Sequence, residues 1–120
     1  MVSPLLQTGD IWLAALDPTV GSEIQKTWPC VVISPNEMHQ HLRTVSVAPM
    51  TTGSRSAVFR IPLTFQGKQG LILLDQIRTL DKQRLIQRVG AVQASTLTRT
   101  LKTLQDMFEP APVKPALAIE

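Results

Sequence analysis

The sequence has one cysteine, Cys30, no tyrosine, two tryptophans, three phenylalanines and two histidines. A lone cysteine closes no internal disulfide and supplies too few thiolates for a structural zinc site. Set between Pro29 and Val31, it reads as a small apolar core residue. His39 and His41 flank Gln40 with no second His or Cys cluster to complete a coordination sphere, so no metal is expected, and a polar loop after Pro35-Asn36 is the plainer reading. Long apolar runs are missing too. The longest, Ile11 to Leu16 and Leu71 to Leu74, fall far short of the ~18 residues that a membrane-spanning helix needs. The start, Met1 to Leu6, has neither the basic n-region nor the extended apolar stretch of a signal peptide, which places the chain in the cytoplasm as an expectation. No Gly-x-Gly-x-x-Gly or Gly-x-x-x-x-Gly-Lys-[Ser/Thr] loop occurs to cradle a nucleotide cofactor, and no cofactor is expected. Ser22 and Ser54 lack the Gly-x-Ser-x-Gly elbow and the nearby base of an acyl-transfer triad.

What is present suits a globular fold. A chain of 120 residues with 43% hydrophobic and 18% charged side chains is sized for one domain and is too apolar for a disordered segment. The net charge is only +3, but it is unevenly spread. Between Arg43 and Lys102 there are ten Lys/Arg against two acids, Asp75 and Asp81. Such a stretch suits a polyanion, with nucleic acid the usual partner. A solvated basic surface explains it equally well, so charge alone leaves both readings open.

The first half is written in short β-rich runs separated by Gly, Pro and polar clusters, the pattern of a small barrel rather than of βαβ units. The runs are Asp10 to Leu16, Pro29 to Ser34, Thr44 to Pro49, Ala57 to Leu63 and Leu71 to Leu74. The second is apolar throughout at Cys30-Val31-Val32-Ile33, which predicts burial on both faces. Asp17-Pro18-Thr19 and Gly21 read as loop, Thr51 to Arg55 as a polar loop, and Gln66 to Gly70 as a hairpin-like connection. Asp81 to Leu85 reads as a short helical turn with Asp81 as its N-cap, followed by a strand at Arg88 to Val92. From Ser95 on, Leu97, Leu101, Leu104 and Phe108, with Met107 beside them, mark an amphipathic helix that packs on the barrel. Prolines 110, 112 and 115 stop it, so residues 1–109 form the domain and 110–120 a disordered tail.

Five segments, in this order and spacing, resemble one family. They are Gly9-Asp10-Ile11-Trp12, Leu16-Asp17-Pro18-Thr19-Val20-Gly21-Ser22-Glu23, Trp28-Pro29-Cys30-Val31-Val32-Ile33-Ser34-Pro35, Ala48-Pro49-Met50-Thr51-Thr52 and Leu74-Asp75-Gln76-Ile77-Arg78-Thr79-Leu80-Asp81. Together they look like the MazF/PemK toxin endoribonucleases of type II toxin-antitoxin systems, over about Gly9 to Phe108. The resemblance implies a mainly β fold with a C-terminal helix, an SH3-like small β-barrel, working as a homodimer. It further implies metal-independent, sequence-specific cleavage of single-stranded mRNA, and a cognate MazE/PemI-like antitoxin that blocks the RNA groove.

Metal-free RNA cleavage has the ribose 2′-OH attack the adjacent phosphorus, leaving a cyclic phosphate and a 5′-OH. It needs a base, an acid and positive charge on the crowded phosphorane. By resemblance the catalytic loop threonine is Thr51, the Gly-Ser-Glu acid is Glu23 and the PemK-type base is Asp75. Lys26, Thr52, Arg55, Gln76 and Arg78 would line the RNA groove, Arg78 being suited to phosphate oxygens. Taken without the resemblance, Thr51 is an ordinary turn residue, Glu23 a solvated acid and Asp75 a strand-end carboxylate bonding local amides. The chain departs from the family at two cations. The arginine expected before the proline of the second strand is Trp28, and the PemK-type arginine two residues before the aspartate is Leu73. Losing one preorganised donor typically costs roughly 10²–10³ in rate, so the departure predicts attenuated cleavage. Three accounts stay open: a single detoxifying swap at Trp28, a variant in which Lys26, Arg55 or Arg78 supplies the charge while Trp28 stacks on a base, and a non-catalytic member that binds antitoxin, RNA or another protein, as the related CcdB toxins do. A hydrophobic lid over the barrel edge is the bland reading of Trp28.

Overall fold

The computed structural model describes residues 6–16 and 26–111. Their elements in chain order are β1 (Asp10–Ala14), β2 (Trp28–Val32), α1 (Asn36–His41), β3 (Thr44–Thr51), β4 (Arg60–Phe65), β5 (Lys68–Leu73), β6 (Arg78–Asp81), β7 (Leu85–Ala91) and α2 (Ala94–Met107). The strands pair antiparallel in the order β4-β5-β3-β2-β1-β7, and β6 also pairs with β3. The sheet curls into a half-barrel closed on one side by the C-terminal helix. The expected Asp17–Gly21 loop, Glu23 and nearly all of the Pro-rich tail lie outside the described residues.

The curl explains the unbroken apolar run in β2. Cys30 and Val32 enter one core cluster with Ala14, Val45, Val47 and Leu80. Val31, on the opposite face, enters a second with Ile11, Ala48, Ile61, Ile72 and Leu74. All three β2 residues are fully buried, and each aliphatic side chain so buried contributes roughly 1.5–3 kcal/mol of transfer free energy. Burial pushes the Cys30 thiol up to about 12, which leaves it protonated and inert.

β3 is the spine that places the site. One edge pairs with β2 through Val47 to Pro49. The other pairs first with β6, through Thr44 to Val47, and then with β5, through Met50 and Thr51. The chain steps from β5 to β6 along this one edge through a 3-10 turn at Leu74–Gln76. Leu74 is 1% exposed and anchors the turn in the second cluster, which leaves Asp75 and Gln76 facing outward beside the end of β3.

The structure moves several boundaries. The β4–β5 connection is a two-residue turn: Gln66 and Gly67 have φ 51° and 77°, the left-handed pair of a primed hairpin turn, so Lys68, Gln69 and Gly70 belong to β5. β4 begins at Arg60 rather than Ala57, and β7 at Leu85 rather than Arg88. The histidine segment is helix α1, not loop. It is pinned from its buried side, where Ser34 Oγ lies 2.7 Å from His39 Nε2 and accepts from the Ser46 N–H at 3.1 Å. Asp81 does cap its turn, accepting from the Gln83 N–H at 2.8 Å. In α2 the expected stripe of Leu97, Leu101 and Leu104 is half-buried, with Thr100 among them. Thr100 is fully buried and its hydroxyl donates to the Thr96 carbonyl at 2.8 Å. Phe108, expected on that stripe, is 67% exposed because the helix ends at Met107.

Candidate functional site

A cleft of 480 Å³ opens where the starts of β2 and β6, the ends of β3 and β5 and the 3-10 turn meet, and Trp28, Thr51, Leu73, Gln76 and Arg78 lie on its walls. Each arrives for a local reason. Trp28 starts β2, its residue pairing with Ala14 of β1. Thr51 ends β3 opposite Leu71 of β5. Its hydroxyl accepts from the Gly53 N–H at 3.2 Å, the side-chain-to-backbone turn typical of threonine at a strand end. Gln76 is carried by the 3-10 turn, and Arg78 opens β6 opposite Val47.

Arg78 is the only charged side chain on this cleft among the described residues. One of its guanidinium N–H groups donates to the Leu16 carbonyl at 3.1 Å, which fixes the fork and leaves its other N–H groups for an anion. The walls contributed by Trp28 and Leu73 are apolar. These are the two positions where the sequence resemblance calls for arginines, and the fold brings both of them to the same cleft as Arg78.

Asp75 is placed differently. It is not among the cleft residues and is held by Arg60 in a two-pronged pair, Nε to Oδ1 at 3.1 Å and Nη2 to Oδ2 at 3.0 Å. The Arg60 hydrogen bonds keep the Asp75 carboxyl below the ordinary carboxylate range, against a smaller opposing effect of burial. A third Arg60 N–H donates to the Arg55 carbonyl at 3.0 Å, so one side chain ties the loop after Thr51 to the 3-10 turn. Sequence reasoning missed Arg60. The signal was a lone cation in the apolar β4 run, in register with Leu73 and therefore close to Asp75.

Of the remaining predicted residues, Thr52 lines a neighbouring pocket with Trp28 and Thr51. Lys26 and Arg55 are exposed and stand on neither cavity. The Ser34–His39 pair has nucleophile-and-base chemistry, yet both residues are buried, at 4% and 8% exposed, and their contacts serve to lock α1 to β3.

Residues 7–108 match the family described as PemK-like, MazF-like toxin of type II toxin-antitoxin system. The chain belongs to the PemK/MazF toxin family. It is 34% identical to Endoribonuclease PemK of Escherichia coli over 109 residues, covering 86% of this chain and 82% of that one. It is 35% identical to Endoribonuclease MazF of Staphylococcus epidermidis over 101 residues, with 78% and 82% covered. The fold is also that of MazF in the MazE-MazF structure from Deinococcus radiodurans, with a TM-score of 0.74 at 21% identity over 89% of this chain and 98% of that one. In this PemK/MazF toxin Trp28 is 41% exposed while lining the cleft.

Proposed function

We propose that the chain is a metal-independent endoribonuclease that cleaves single-stranded mRNA at specific sequences. It acts in the cytoplasm as a homodimer and is restrained by a MazE/PemI-like antitoxin. Relatives at 34% and 35% identity are endoribonucleases by name, and a structure of the same fold is a MazE-MazF complex. Among the described residues no helix is long and apolar enough to cross a membrane. The observation that carries the reading is the gathering of Thr51, Gln76 and Arg78 on one cleft.

In the proposed reaction the 2′-oxygen forms a bond to phosphorus while the bond from phosphorus to the 5′-oxygen breaks. The proton that the base takes from the 2′-OH is returned through solvent to the departing 5′-oxygen. Arg78 holds the negative charge of the phosphorane, with the Thr51 hydroxyl and the Gln76 amide donating to its oxygens. We assign proton acceptance to Glu23 rather than Asp75. Both Asp75 oxygens are engaged by Arg60, and a carboxylate whose pKa is lowered is the weaker base. Asp75 becomes a positioning residue that holds Gln76, while Lys26, Thr52 and Arg55 contact flanking nucleotides.

The test is cleavage of a long single-stranded RNA in EDTA by the chain and by its Thr51→Ala and Arg78→Ala variants, with end-group analysis. Cyclic phosphate and 5′-OH ends that disappear in both variants are the expected result. No cleavage by the chain, with cleavage restored by Trp28→Arg, marks it as a disabled toxin. The indole at the cation position favours one second reading, a binding protein that titrates antitoxin or RNA, and failure of every variant to cut, with RNA binding retained, moves that reading ahead.

A further inference from the structure

Trp28, Met50 and Thr51 form a divide with a hollow on each side. One is the Arg78 cleft. The other is a 310 Å³ pocket between the start of β2 and the β4–β5 hairpin, which Leu63 and Phe65 line together with Trp28 and where Lys68 is the one cation among the described residues. The pocket depends on a close backbone approach. A Cβ on Gly70 would lie 2.9 Å from the Thr51 carbonyl oxygen, so only glycine lets β5 close against the end of β3 there. The volume and apolar walls are those of a small-ligand site, and aromatic planes in such walls are what unstacked bases use.

We propose that this pocket is a nucleobase subsite, in which the Trp28 indole stacks on the base next to the phosphate held by Arg78. The inference rests on the endoribonuclease reading and names a substrate contact of the same site. Charge and shape select this occupant. A cation, an aromatic plane and a second cation follow one another across the divide, matching phosphate, base and phosphate along a single strand. The pocket is too small for a helix or a strand and has room for one flat ring system. The chain thus holds an aromatic platform at a position where its family holds charge, trading catalytic electrostatics for base contact.

The experiment uses the full chain and an all-2′-O-methyl oligonucleotide, which cannot be cleaved, with tryptophan emission and the anisotropy of a labelled strand as readouts. Trp12, the second indole, packs against the core and reports little. Saturable quenching that is lost in Trp28→Phe is expected, with Trp28→Phe keeping most of the affinity and Trp28→Ala losing roughly 5- to 150-fold, the range for a stacked base. An abasic nucleotide at one position should cost the native chain the same factor and Trp28→Ala nothing. Melting curves confirm that both variants fold. Unchanged emission, or equal affinity of Trp28→Ala and the native chain, overturns the subsite even if cleavage is intact. Quenching and abasic discrimination without cleavage uphold the subsite and overturn the proposed activity instead.

Discussion

Truncating Arg78 tests the proposed chemistry most directly. A unit charge 4–6 Å from a developing phosphorane charge, at an effective dielectric near 20, contributes roughly 3–4 kcal/mol, or about 10²–10³ in rate at 1.4 kcal/mol per decade. Loss of one preorganised donor in other active sites costs a similar factor, roughly 10²–10³. Arg78→Ala is therefore expected to lower kcat by that amount, with Arg78→Lys between the two because it keeps the charge and loses the fork. Arg78 also holds the Leu16 carbonyl at 3.1 Å, so a structural cost must be separated from a catalytic one. A cycle with Trp28→Arg does this. Trp28 is 41% exposed, so replacing it opens no core cavity and should leave stability within about 0.5 kcal/mol. If both positions face one phosphate, Trp28→Arg raises kcat and Arg78→Ala then costs less than roughly tenfold in that background. The assay is single-turnover cleavage of a labelled single-stranded RNA in EDTA. An equal penalty for Arg78→Ala in both backgrounds would refute the shared-phosphate argument and leave Arg78 as a strut for Leu16.

Three further outcomes are expected. Gly70→Ala forces the Thr51 backbone away from β5 and should cost roughly 1–3 kcal/mol of stability together with most of the activity, whereas Gly53→Ala, whose nearest neighbour would be Thr51 Oγ1 at 4.0 Å, should melt like the native chain. Asp75→Asn breaks the Arg60 fork and should lower kcat by a factor that is constant from about pH 5 to 8, since the Asp75 pKa lies below the usual carboxylate value and the pair weakens only as pH falls through it; a ratio that varies across that window would make Asp75 the base. His39, with its pKa lowered mainly by burial and further by Lys82, against the opposing effects of the Leu6 backbone and of Asp10, is protonated at lower pH in the fold than in the unfolded chain, which takes a proton below about pH 6.5. Stability measured by urea melts should therefore fall as pH drops below 6.5 in the native chain and fall less steeply in His39→Gln.

Features set by one stretch of chain were legible in the sequence. The apolar run in β2, the Asp81 cap and the helix over 94–107 each follow from local residue types, and the structure has all three. Features set by register were not. The hairpin connection is legible at Gln66 to Gly70, but its narrowing to Gln66 and Gly67 is not, because a left-handed φ costs a β-carbon about 1–2 kcal/mol and only the paired strands hold Gln66 there. Helix α1 is six residues long, too short to stand on propensity, and is held by the bond between His39 and Ser34, whose hydroxyl is in turn fixed by the Ser46 N–H of β3. The Arg60–Asp75 fork joins residues fifteen apart in sequence through the β4–β5 register, which charge counting cannot see. The cleft was half legible. The resemblance supplied its residues, but that Leu73 converges on Arg78 follows from β5 and β6 sharing one edge of β3, and that Trp28 joins them follows from β2 lying along the other.

That convergence has an electrostatic signature in RNA binding. Affinity for single strands falls with salt at roughly 0.7 log units per log unit of salt for each phosphate neutralised. With apolar side chains at two expected cation positions, the slope belongs to Arg78 and the flanking Lys26, Arg55 and Lys68. Arg78→Ala should make it shallower by about 0.7, and Trp28→Arg steeper by about 0.7. Trp28→Ala should lower affinity by the same factor at every salt concentration, because stacking releases no counterion. Titrations of a 2′-O-methyl strand between 50 and 300 mM KCl separate these effects. A slope that changes in Trp28→Ala would mean that the indole only shields a charge, and a slope indifferent to Arg78 would mean that no phosphate lies in the cleft.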